Sequence, residues 1–390
     1  MRRLLPRLVL AFLAGAVLVS PALPALAAQG AKGKSESPVL DVSEVLAAIR
    51  KKHDVPALAA VTIEGGRVTA AGTDGVRKRG AEAKVTIDDR FHLGSCTKSM
   101  TATMIATLVE ERKLSWDTTI GDVFGDLGKK MRPEWKPVTL EQLLTHRSGA
   151  PGDVPPELWS QLWKREGTPT AQRIELVRGT LANEPEEVPG TKFIYSNTGY
   201  AIAGAMAEKV TGKAWEDLMR ERLFTPLGMK SAGFGAPGKA GKLDEPLGHK
   251  KDGTPRELGP SDDNPPAIGP AGTVHATLEN WAKYVAAHLT RDAKLLKPET
   301  FAKLHEPAQG EGKEYAMGWG VAERDWGGGR VLTHSGSNTM WYCTVKMAPK
   351  KDFAVLLATN QGGDDAKEAC DEAANAMIEV VLGRREAEKR

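Results

Sequence analysis

The chain has 390 residues, with 53 lysines and arginines against 50 aspartates and glutamates, and its formal net charge is +3 at pH 7. Three arginines and no acids lie in the first 27 residues, so the rest has a charge of about zero with both signs interspersed. This distribution excludes an electrostatic surface for nucleic acid or for an anionic membrane.

The first residues follow the order of a secretory signal peptide. A basic start at Arg2, Arg3 and Arg7 leads into an apolar run, and small residues then end at Ala27. A transmembrane anchor is the alternative, but the apolar run is shorter than the roughly 18 residues that a span needs. We predict a cleaved signal peptide over 1–27, an exported protein in the periplasm or outside the cell, and no stable membrane span after cleavage.

The next part of the chain predicts a linker and then the start of a folded domain. Residues 28–38 are small and polar without periodic apolar positions, which is typical of a flexible tether. A helical pattern follows at 42–53. Two β-prone runs within 57–72, joined by Gly65 and Gly66, predict a hairpin.

The middle of the chain is predicted to be mainly helical. Helix-period apolar spacing recurs at 99–114, 139–146, 201–212 and 215–224. A loop rich in proline and glycine spans 233–272, and a loop of this length is more often functional or variable than part of a core.

The last part returns to strands, predicted within 328–336, 340–349 and 352–360, and ends in a helix over 366–381. Strands at both ends with helices between them predict one α/β domain of the α+β type over 39–382, followed by a charged tail at 383–390. Its antiparallel sheet is formed from both chain ends, is flanked by helices and has an inserted, mainly helical subdomain.

The stretch GSCTK at 94–98 offers three side chains for chemistry. The helical pattern that follows places Ser95 at a helix start and Lys98 one turn later on the same face. A serine needs a base within hydrogen-bond reach to act as a nucleophile, and Lys98 supplies an amine. Cys96, at the next position, points off this face. A capping serine with a surface lysine is the structural alternative to a catalytic pair.

Two further motifs favour the catalytic interpretation of Ser95 and Lys98. Ser95-x-x-Lys98, then YSN at 195–197 and HSG at 334–336, resemble in order and spacing the motifs of the serine β-lactamase and penicillin-binding-protein superfamily. The chain most resembles its class C-type branch, the β-lactamase-related serine hydrolases. That branch includes D-alanyl-D-alanine carboxypeptidases, D-aminopeptidases and esterases. LLTHRSG at 143–149 and AGTVHAT at 271–277 are among the supporting stretches.

The resemblance implies a role for each matching residue. Ser95 is the expected nucleophile, Lys98 and Tyr195 share the proton transfers, and Asn197 binds an acyl-amide substrate. A tyrosine needs a lowered pKa to act as a base, and we expect the Lys98 ammonium to lower the pKa of Tyr195.

The third motif, at the end of a predicted strand, is expected to bind substrate through His334, Ser335, Gly336 and Ser337. The resemblance implies an oxyanion hole from the backbone N–H groups of Ser95 and Ser337. Gly336 lets a substrate backbone approach closely. His334 either joins the Tyr195 and Lys98 network or meets a substrate carboxylate, and a strand-end histidine without a catalytic role is the alternative.

His334 is also a departure from many β-lactamases, which have lysine at this position. A histidine is largely neutral at pH 7, so this residue argues against β-lactam recognition through a permanent positive charge. We predict an exported serine hydrolase acting through an acyl-enzyme on D-amino-acid peptides, including peptidoglycan-derived ones, or on esters. A β-lactamase is the alternative within the enzymes, and a non-hydrolysing penicillin-binding sensor is the alternative from another class.

Other features are assigned no catalytic role. The family stretch that matches His146 is a turn in which the histidine bonds to backbone, and Asp262 and Asp263 are expected to be solvated. No motif indicates a cofactor or a metal site. Because export implies an oxidising compartment, a disulfide between Cys343 and Cys370 is the pairing to test.

Overall fold

The structure is a computed structural model that describes residues 38–259 and 262–387. The predicted signal peptide at 1–27 and all but the last residue of the predicted linker lie outside the described residues. Within the described ranges, no helix is both long enough and apolar enough to cross a membrane.

The strands of the described residues are β1 Leu40–Asp41, β2 Ala57–Glu64, β3 Arg67–Gly75, β4 Arg90–His92, β5 Gly233–Phe234, β6 Val274–Thr277, β7 Gly320–Arg324, β8 Gly329–Ser337, β9 Tyr342–Ala348 and β10 Phe353–Thr359. The α-helices are α1 Ser43–Lys52, α2 Thr97–Glu110, α3 Ile120–Phe124, α4 Leu140–Leu144, α5 Pro156–Leu162, α6 Pro169–Leu181, α7 Asn197–Thr211, α8 Trp215–Met219, α9 Gly269–Gly272, α10 Leu278–Thr290, α11 Pro298–Leu304 and α12 Asp364–Ala387. Short 3₁₀ turns include Gly94–Cys96 before α2 and Pro266–Ile268 before α9.

The main sheet has seven strands in the order β1-β3-β2-β10-β9-β8-β7. Only the β1–β3 pair is parallel, and the other neighbours are antiparallel. At its centre β2 pairs with β10, with Val61 opposite Leu356, so strands from the two chain ends lie side by side. This confirms the predicted sheet with its inserted helical region. A second, three-stranded sheet, β4-β6-β5, was not predicted.

The main sheet is covered by helices on both faces. Side chains alternate along a strand, so Ala59, Val61 and Ile63 of β2 pack into the large cluster that contains α2, α7 and α10. Leu58 and Ala60 point the other way, into a smaller cluster under α1 and α12. Burial on both faces explains why β2 is almost continuously apolar.

The last helix is longer than predicted. We expected it to end near residues 382–383, but α12 continues to Ala387. Arg384 and Arg385 both pair with the carboxylate of Glu64 at the end of β2, and Arg385 also donates to the carbonyl of Asp352 at 3.2 Å. These contacts hold the last turns against the sheet, so the boundary predicted at 383 does not coincide with a helix end.

The disulfide named above as the pairing to test is not formed, and all three cysteines are free and buried. Cys343 belongs to the large cluster and Cys370 to the smaller one, so they lie on opposite faces of the main sheet. The Cys343 Sγ instead lies 3.6 Å from the Sγ of Cys96. The pairing of Cys343 with Cys370 was therefore wrong, because the sheet separates the two thiols.

Candidate active site

The 3₁₀ turn before α2 lies against the end of β8, and two glycines make that contact possible. Gly94 has φ +46°, and a Cβ there would lie 2.3 Å from the backbone N of Ser337. A Cβ on Gly336 would lie 2.0 Å from the Leu93 carbonyl oxygen and 2.8 Å from the Ser95 nitrogen. Real Cβ atoms cannot approach so closely, so only glycine fits at either position. The backbone N–H groups of Ser95 and Ser337 are thus brought together, as an oxyanion hole requires.

Lys98 is fully buried, and its amine has three oxygen neighbours. Its Nζ lies 3.1 Å from Ser95 Oγ, 2.7 Å from Asn197 Oδ1 and 2.8 Å from the carbonyl oxygen of Ala271. Two of these oxygens belong to carbonyl groups, which can only accept hydrogen bonds. A neutral amine therefore donates one proton to each carbonyl and directs its lone pair at the Ser95 hydroxyl.

Burial favours that neutral form. Desolvation lowers the pKa of Lys98 from 10.5 to about 7. No carboxylate of the described residues lies within ion-pair distance of Lys98 to offset the desolvation. A large fraction of Lys98 is therefore free amine at neutral pH, next to the serine hydroxyl whose proton a base would remove.

Tyr195 reaches the same point from the loop before α7. The Ser95 side chain is near enough to act on the pKa of the Tyr195 hydroxyl, and the Tyr195 ring centroid lies 4.7 Å from Lys98 Nζ. The next residue, Ser196, caps α7 by accepting a 2.9 Å hydrogen bond from the Gly199 N–H. The cap fixes where the helix begins, which places Tyr195 just outside it and Asn197 in its first turn.

The expected direction of the Tyr195 pKa was wrong. Desolvation raises the pKa of Tyr195, and the hydrogen bond with Ser95 opposes the rise without cancelling it. Tyr195 as a whole is 38% exposed, but protein atoms surround its hydroxyl group. Because Lys98 itself loses its charge near neutral pH, it is no permanent cation that could lower the Tyr195 pKa. Tyr195 is therefore a phenol at neutral pH, and the available base is Lys98.

His334 is buried, and neither of its ring nitrogens bonds to Tyr195 or Lys98. Its Nδ1–H donates to the Ser335 carbonyl oxygen at 2.7 Å, so its Nε2 accepts from the Tyr315 hydroxyl at 2.9 Å. Desolvation first, and the nearby Lys98 second, lower the pKa of His334 to about 3. His334 is thus neutral, and its ring centroid lies 6.4 Å from that of Tyr195. It offers no positive charge to a substrate carboxylate.

The remaining predicted residues divide between the two faces of β8. Gly336 lies on the face toward Ser95, and the backbone of Ser337 follows it. The side chain of Ser335 points to the opposite face, where its hydroxyl donates to Thr344 Oγ1 at 3.3 Å. The structure therefore brings Asn197, Gly336 and Ser337 to the Ser95 and Lys98 pair, but not the Ser335 side chain.

The two aspartates expected in solvent are buried instead. Asp263 is 7% exposed and Asp262 is 2% exposed. Asp263 Oδ2 lies 3.0 Å from His92 Nε2, and Asp263 Oδ1 accepts from Asn338 Nδ2 at 3.1 Å. Proline-rich composition suggested an exposed loop, but partners on β4 and after β8 bind this carboxylate. Asp263 thereby connects the long loop to the residue that follows Ser337.

Open space for a substrate lies along this loop. A cavity of about 270 Å³ adjoins Asn197 and is also lined by Val154, Trp159 and Asn264. A second cavity of about 230 Å³ shares Asn264 and continues to Trp163 and beyond. Both linings combine apolar and polar side chains, which suits a substrate with both amide and apolar groups.

Sequence reasoning missed three contributors to the site. The Ala271 carbonyl is a backbone atom that the motif stretch at 271–277 does not identify. The Tyr315 hydroxyl donates a hydrogen bond to His334 Nε2. The ring centroid of His146 lies 4.4 Å from that of Tyr195. The motif stretch around His146 was recognisable, but its proximity to Tyr195 depends on tertiary structure.

The fold and the clustered serine and lysine define the class of β-lactamase-like and penicillin-binding-protein-like serine hydrolases. The family model described as Beta-lactamase matches residues 42–377, so the chain belongs to that family.

Individual proteins agree with this assignment. Penicillin-binding protein 4 of Amycolatopsis lactamdurans is 30% identical over 328 residues, covering 81% of this chain and 83% of that protein. The octameric penicillin-binding protein homologue from Pyrococcus abyssi is similar in structure, with a TM-score of 0.71 and 26% identity, over 87% of this chain and 76% of that one. Unguisins hydrolase ungD' of Aspergillus campestris is 24% identical over 344 residues, covering 82% of this chain but only 61% of that longer protein.

Proposed function

We propose that this protein is an exported serine hydrolase that cleaves an amide or ester through a covalent acyl-enzyme. The observation that carries the proposal is the buried Lys98 amine, which has a pKa of about 7 and lies 3.1 Å from the Ser95 hydroxyl. A base with a pKa near the working pH is the most effective proton acceptor. Export rests on the pattern of residues 1–27 and is part of the proposal.

In the acylation step, Ser95 Oγ bonds to the substrate carbonyl carbon while its proton moves to the Lys98 amine. The backbone N–H groups of Ser95 and Ser337 stabilise the negative oxygen of the tetrahedral intermediate. As the intermediate collapses, the leaving amine or alcohol takes a proton from the Tyr195 phenol, and the Lys98 ammonium returns one to Tyr195. The products are acyl-Ser95, the leaving group, a neutral lysine and a phenol.

In the second step, water attacks the acyl carbonyl carbon and releases its proton through Tyr195 to the Lys98 amine. The same two N–H groups hold the oxyanion. Expulsion of Ser95 Oγ then takes that proton back from Lys98, which regenerates the hydroxyl and the free amine. Acylation and hydrolysis thus use one base, alternately charged and neutral.

The proposed substrates are D-amino-acid peptides, including peptidoglycan-derived ones, or simple esters. A neutral His334, engaged with Tyr315, provides no permanent cation for a β-lactam carboxylate. The match to a hydrolase of unguisins supports peptide cleavage, and the match to a penicillin-binding protein supports recognition of an acyl-amide bond. We therefore place β-lactamase activity below peptidase or esterase activity.

The test compares wild type with Ser95→Ala on three substrates: p-nitrophenyl acetate, a peptide ending in D-Ala-D-Ala, and nitrocefin. We expect turnover of the ester or the peptide to exceed that of nitrocefin, and Ser95→Ala to abolish it without changing the melting temperature. Full activity in Ser95→Ala would contradict the proposed nucleophile. Preferred turnover of nitrocefin would instead assign a β-lactamase.

A fluorescent penicillin separates the enzyme from a sensor. Labelling of Ser95 in a one-to-one ratio, with no turnover of any of the three substrates, would show a penicillin-binding sensor and overturn the proposed hydrolysis. Cys96→Ser is the matched control at the neighbouring position. The Cys96 thiol of the wild type points at Cys343 rather than at the cleft. We therefore expect the Cys96→Ser variant to be labelled and to turn over substrate like wild type.

A further inference from the structure

His146 is a buried histidine that hydrogen-bonds to the chain on both sides of Tyr195. Its carbonyl oxygen accepts from the Ile194 N–H at 2.9 Å. Its ring Nδ1 accepts from the Ser196 N–H at 3.0 Å. The loop between them has no strand or helix of its own. One residue thus holds the backbone at Ile194, before Tyr195, and at Ser196, after it.

The ring of His146 also lies against the side chain of Tyr195. The centroids of His146 and Tyr195 are 4.4 Å apart at an interplanar angle of 41°. Tyr200 and Tyr315 enclose the ring on other sides, at 5.2 and 4.7 Å. His146 is 1% exposed, so it limits the positions available to the phenol without itself reaching the cleft surface.

The chemistry of the ring is fixed by these contacts. Because Nδ1 accepts a hydrogen bond, the proton of the neutral imidazole is on Nε2, which is buried without a hydrogen-bond partner among the described residues. Burial keeps the pKa of His146 well below its usual range, and the nearby Lys98 lowers it further. His146 is therefore a fixed neutral acceptor and cannot serve as the base in Ser95 activation.

The backbone at His146 is unusual in a way that fits a specialised role. Its φ is +60°, in the left-handed region that residues other than glycine seldom adopt. The conformation lets one residue present both its carbonyl and its ring to the Tyr195 segment. Strained backbone that the surroundings enforce is concentrated at functional sites.

From this geometry we infer that His146 is a positioning residue that sets the Tyr195 phenol beside Ser95 Oγ. The inference rests on the proposed function, in which Tyr195 passes protons between Lys98 and the leaving group. A displacement of about 1 Å of a group that transfers protons can lower the rate of the catalysed reaction by as much as ~10²-fold. We expect loss of the contacts between His146 and the Tyr195 segment to lower kcat and to leave KM for a small ester nearly unchanged.

The experiment compares His146→Leu, which removes the ring acceptor, with His146→Asn, whose Oδ1 can replace Nδ1. Asparagine also tolerates positive φ, whereas leucine does not. We expect kcat for p-nitrophenyl acetate to fall by roughly 10- to 100-fold in His146→Leu and to recover most of that loss in His146→Asn. Equal losses in the two variants would contradict the role of the acceptor.

A double-mutant cycle with Tyr195→Phe separates positioning from a general loss of stability. If His146 acts through Tyr195, His146→Leu should cost little more in a Tyr195→Phe background. The same fold-loss in both backgrounds would overturn the inference and leave the proposed function intact. Wild-type turnover in Tyr195→Phe would instead contradict the proposed proton transfer itself, and the inference with it.

His249 provides the matched control. It is also fully buried, and its Nε2 accepts a backbone hydrogen bond, from the Arg79 N–H at 2.9 Å, on a part of the fold that does not contact Tyr195. We expect His249→Leu to lower the melting temperature and to leave kcat of the folded enzyme within twofold of wild type. A comparable fall in kcat in His249→Leu would assign the His146 effect to structure alone.

Discussion

Lys98 and Arg173 are both fully buried cationic residues, but their surroundings differ in one decisive respect. Arg173 donates to Glu208 at 3.2 Å, to Glu216 at 2.9 Å and to the Pro266 carbonyl oxygen at 2.8 Å. Lys98 has only uncharged oxygens as hydrogen-bond partners within the described residues. A buried charge with carboxylate partners can stay charged and hold elements together, whereas one without them is expected to lose its proton.

Lys98 and Arg173 are therefore equally buried but have different roles. Arg173 joins α6 to α7, to α8 and to the 3₁₀ turn before α9. The loss of charge at Lys98 is what makes its lone pair available to Ser95. Under the proposed function, the absence of a carboxylate beside Lys98 among the described residues is therefore part of what makes this site reactive.

Replacement of Lys98 tests the reactive side of the comparison and should have the largest effect on turnover. Lys98→Met removes the base, and Lys98→Arg replaces it with a group that stays charged. We expect kcat/KM for p-nitrophenyl acetate to fall by about 10²–10⁴-fold in both. The melting temperature of Lys98→Met should be equal to or above that of wild type, because a poorly solvated amine is removed. Turnover within tenfold of wild type in either variant would contradict the role of Lys98.

Replacement of Arg173 tests the structural side. Arg173→Met leaves Glu208, whose side chain is 3% exposed, without its buried partner. We expect the free energy of unfolding in urea to fall by about 3–5 kcal/mol. As a control, Lys213→Met breaks a surface pair with Glu221 and should change it by at most about 1 kcal/mol. A similar result in the two variants would mean that the buried cluster does not hold these helices.

Asn197→Asp should make the Lys98 site resemble the Arg173 site. The new carboxylate would lie where Asn197 Oδ1 now accepts from Lys98 at 2.7 Å, and it would raise the pKa of Lys98. We expect kcat/KM at pH 7 to fall by roughly tenfold for each unit by which that pKa rises, and to recover toward pH 10. Asn197→Ala is the control, since it should lose activity without recovery at high pH. No recovery in Asn197→Asp would indicate that the amide serves substrate binding alone.

The pH dependence of the wild type gives the smallest and most specific effect. Since the free amine is the active form, kcat/KM should rise through a midpoint near pH 7 and then level off. Between pH 7 and about 10.4 the unfolded chain holds a proton on Lys98 that the folded chain lacks, so stability rises with pH there. The free energy of unfolding of wild type should therefore increase with pH relative to Lys98→Met. A pH-independent difference between the two would argue that Lys98 stays charged in the fold.

The sequence predicted the features of the fold and the site that depend on the spacing and order of residues along the chain. Helical periodicity placed Ser95 and Lys98 on one face, and β-prone apolar runs near both chain ends predicted the sheet that β2 and β10 join. The order of the motifs indicated that Tyr195 and Asn197 would meet that pair, and the structure places both beside Lys98. These features repeat along the chain with a fixed period or a fixed order, which is why sequence reveals them.

The remaining features depend on what surrounds each group in three dimensions. The pKa of Tyr195 was expected to fall because Lys98 was taken to be charged, and the burial of Lys98 could not be deduced from its neighbours in sequence. His334 and Asp263 likewise find their partners on distant elements. The separation of Cys343 from Cys370 depends on which face of the sheet each thiol occupies. Desolvation and long-range partners are properties of the tertiary structure.

The β2–β10 pair has a consequence for how activity arises during folding. It joins residues 57–64 to residues 353–359, and β8, which provides Ser337, lies two strands beyond β10 in the same sheet. Contacts this distant in sequence form slowly, because a long loop must close before they stabilise the chain. Helix α2 can form early from local contacts, but Ser95, in the turn before it, then lacks the opposing N–H group of Ser337. Recovery of turnover on refolding should thus follow closure of the whole sheet and lag behind the recovery of helical signal.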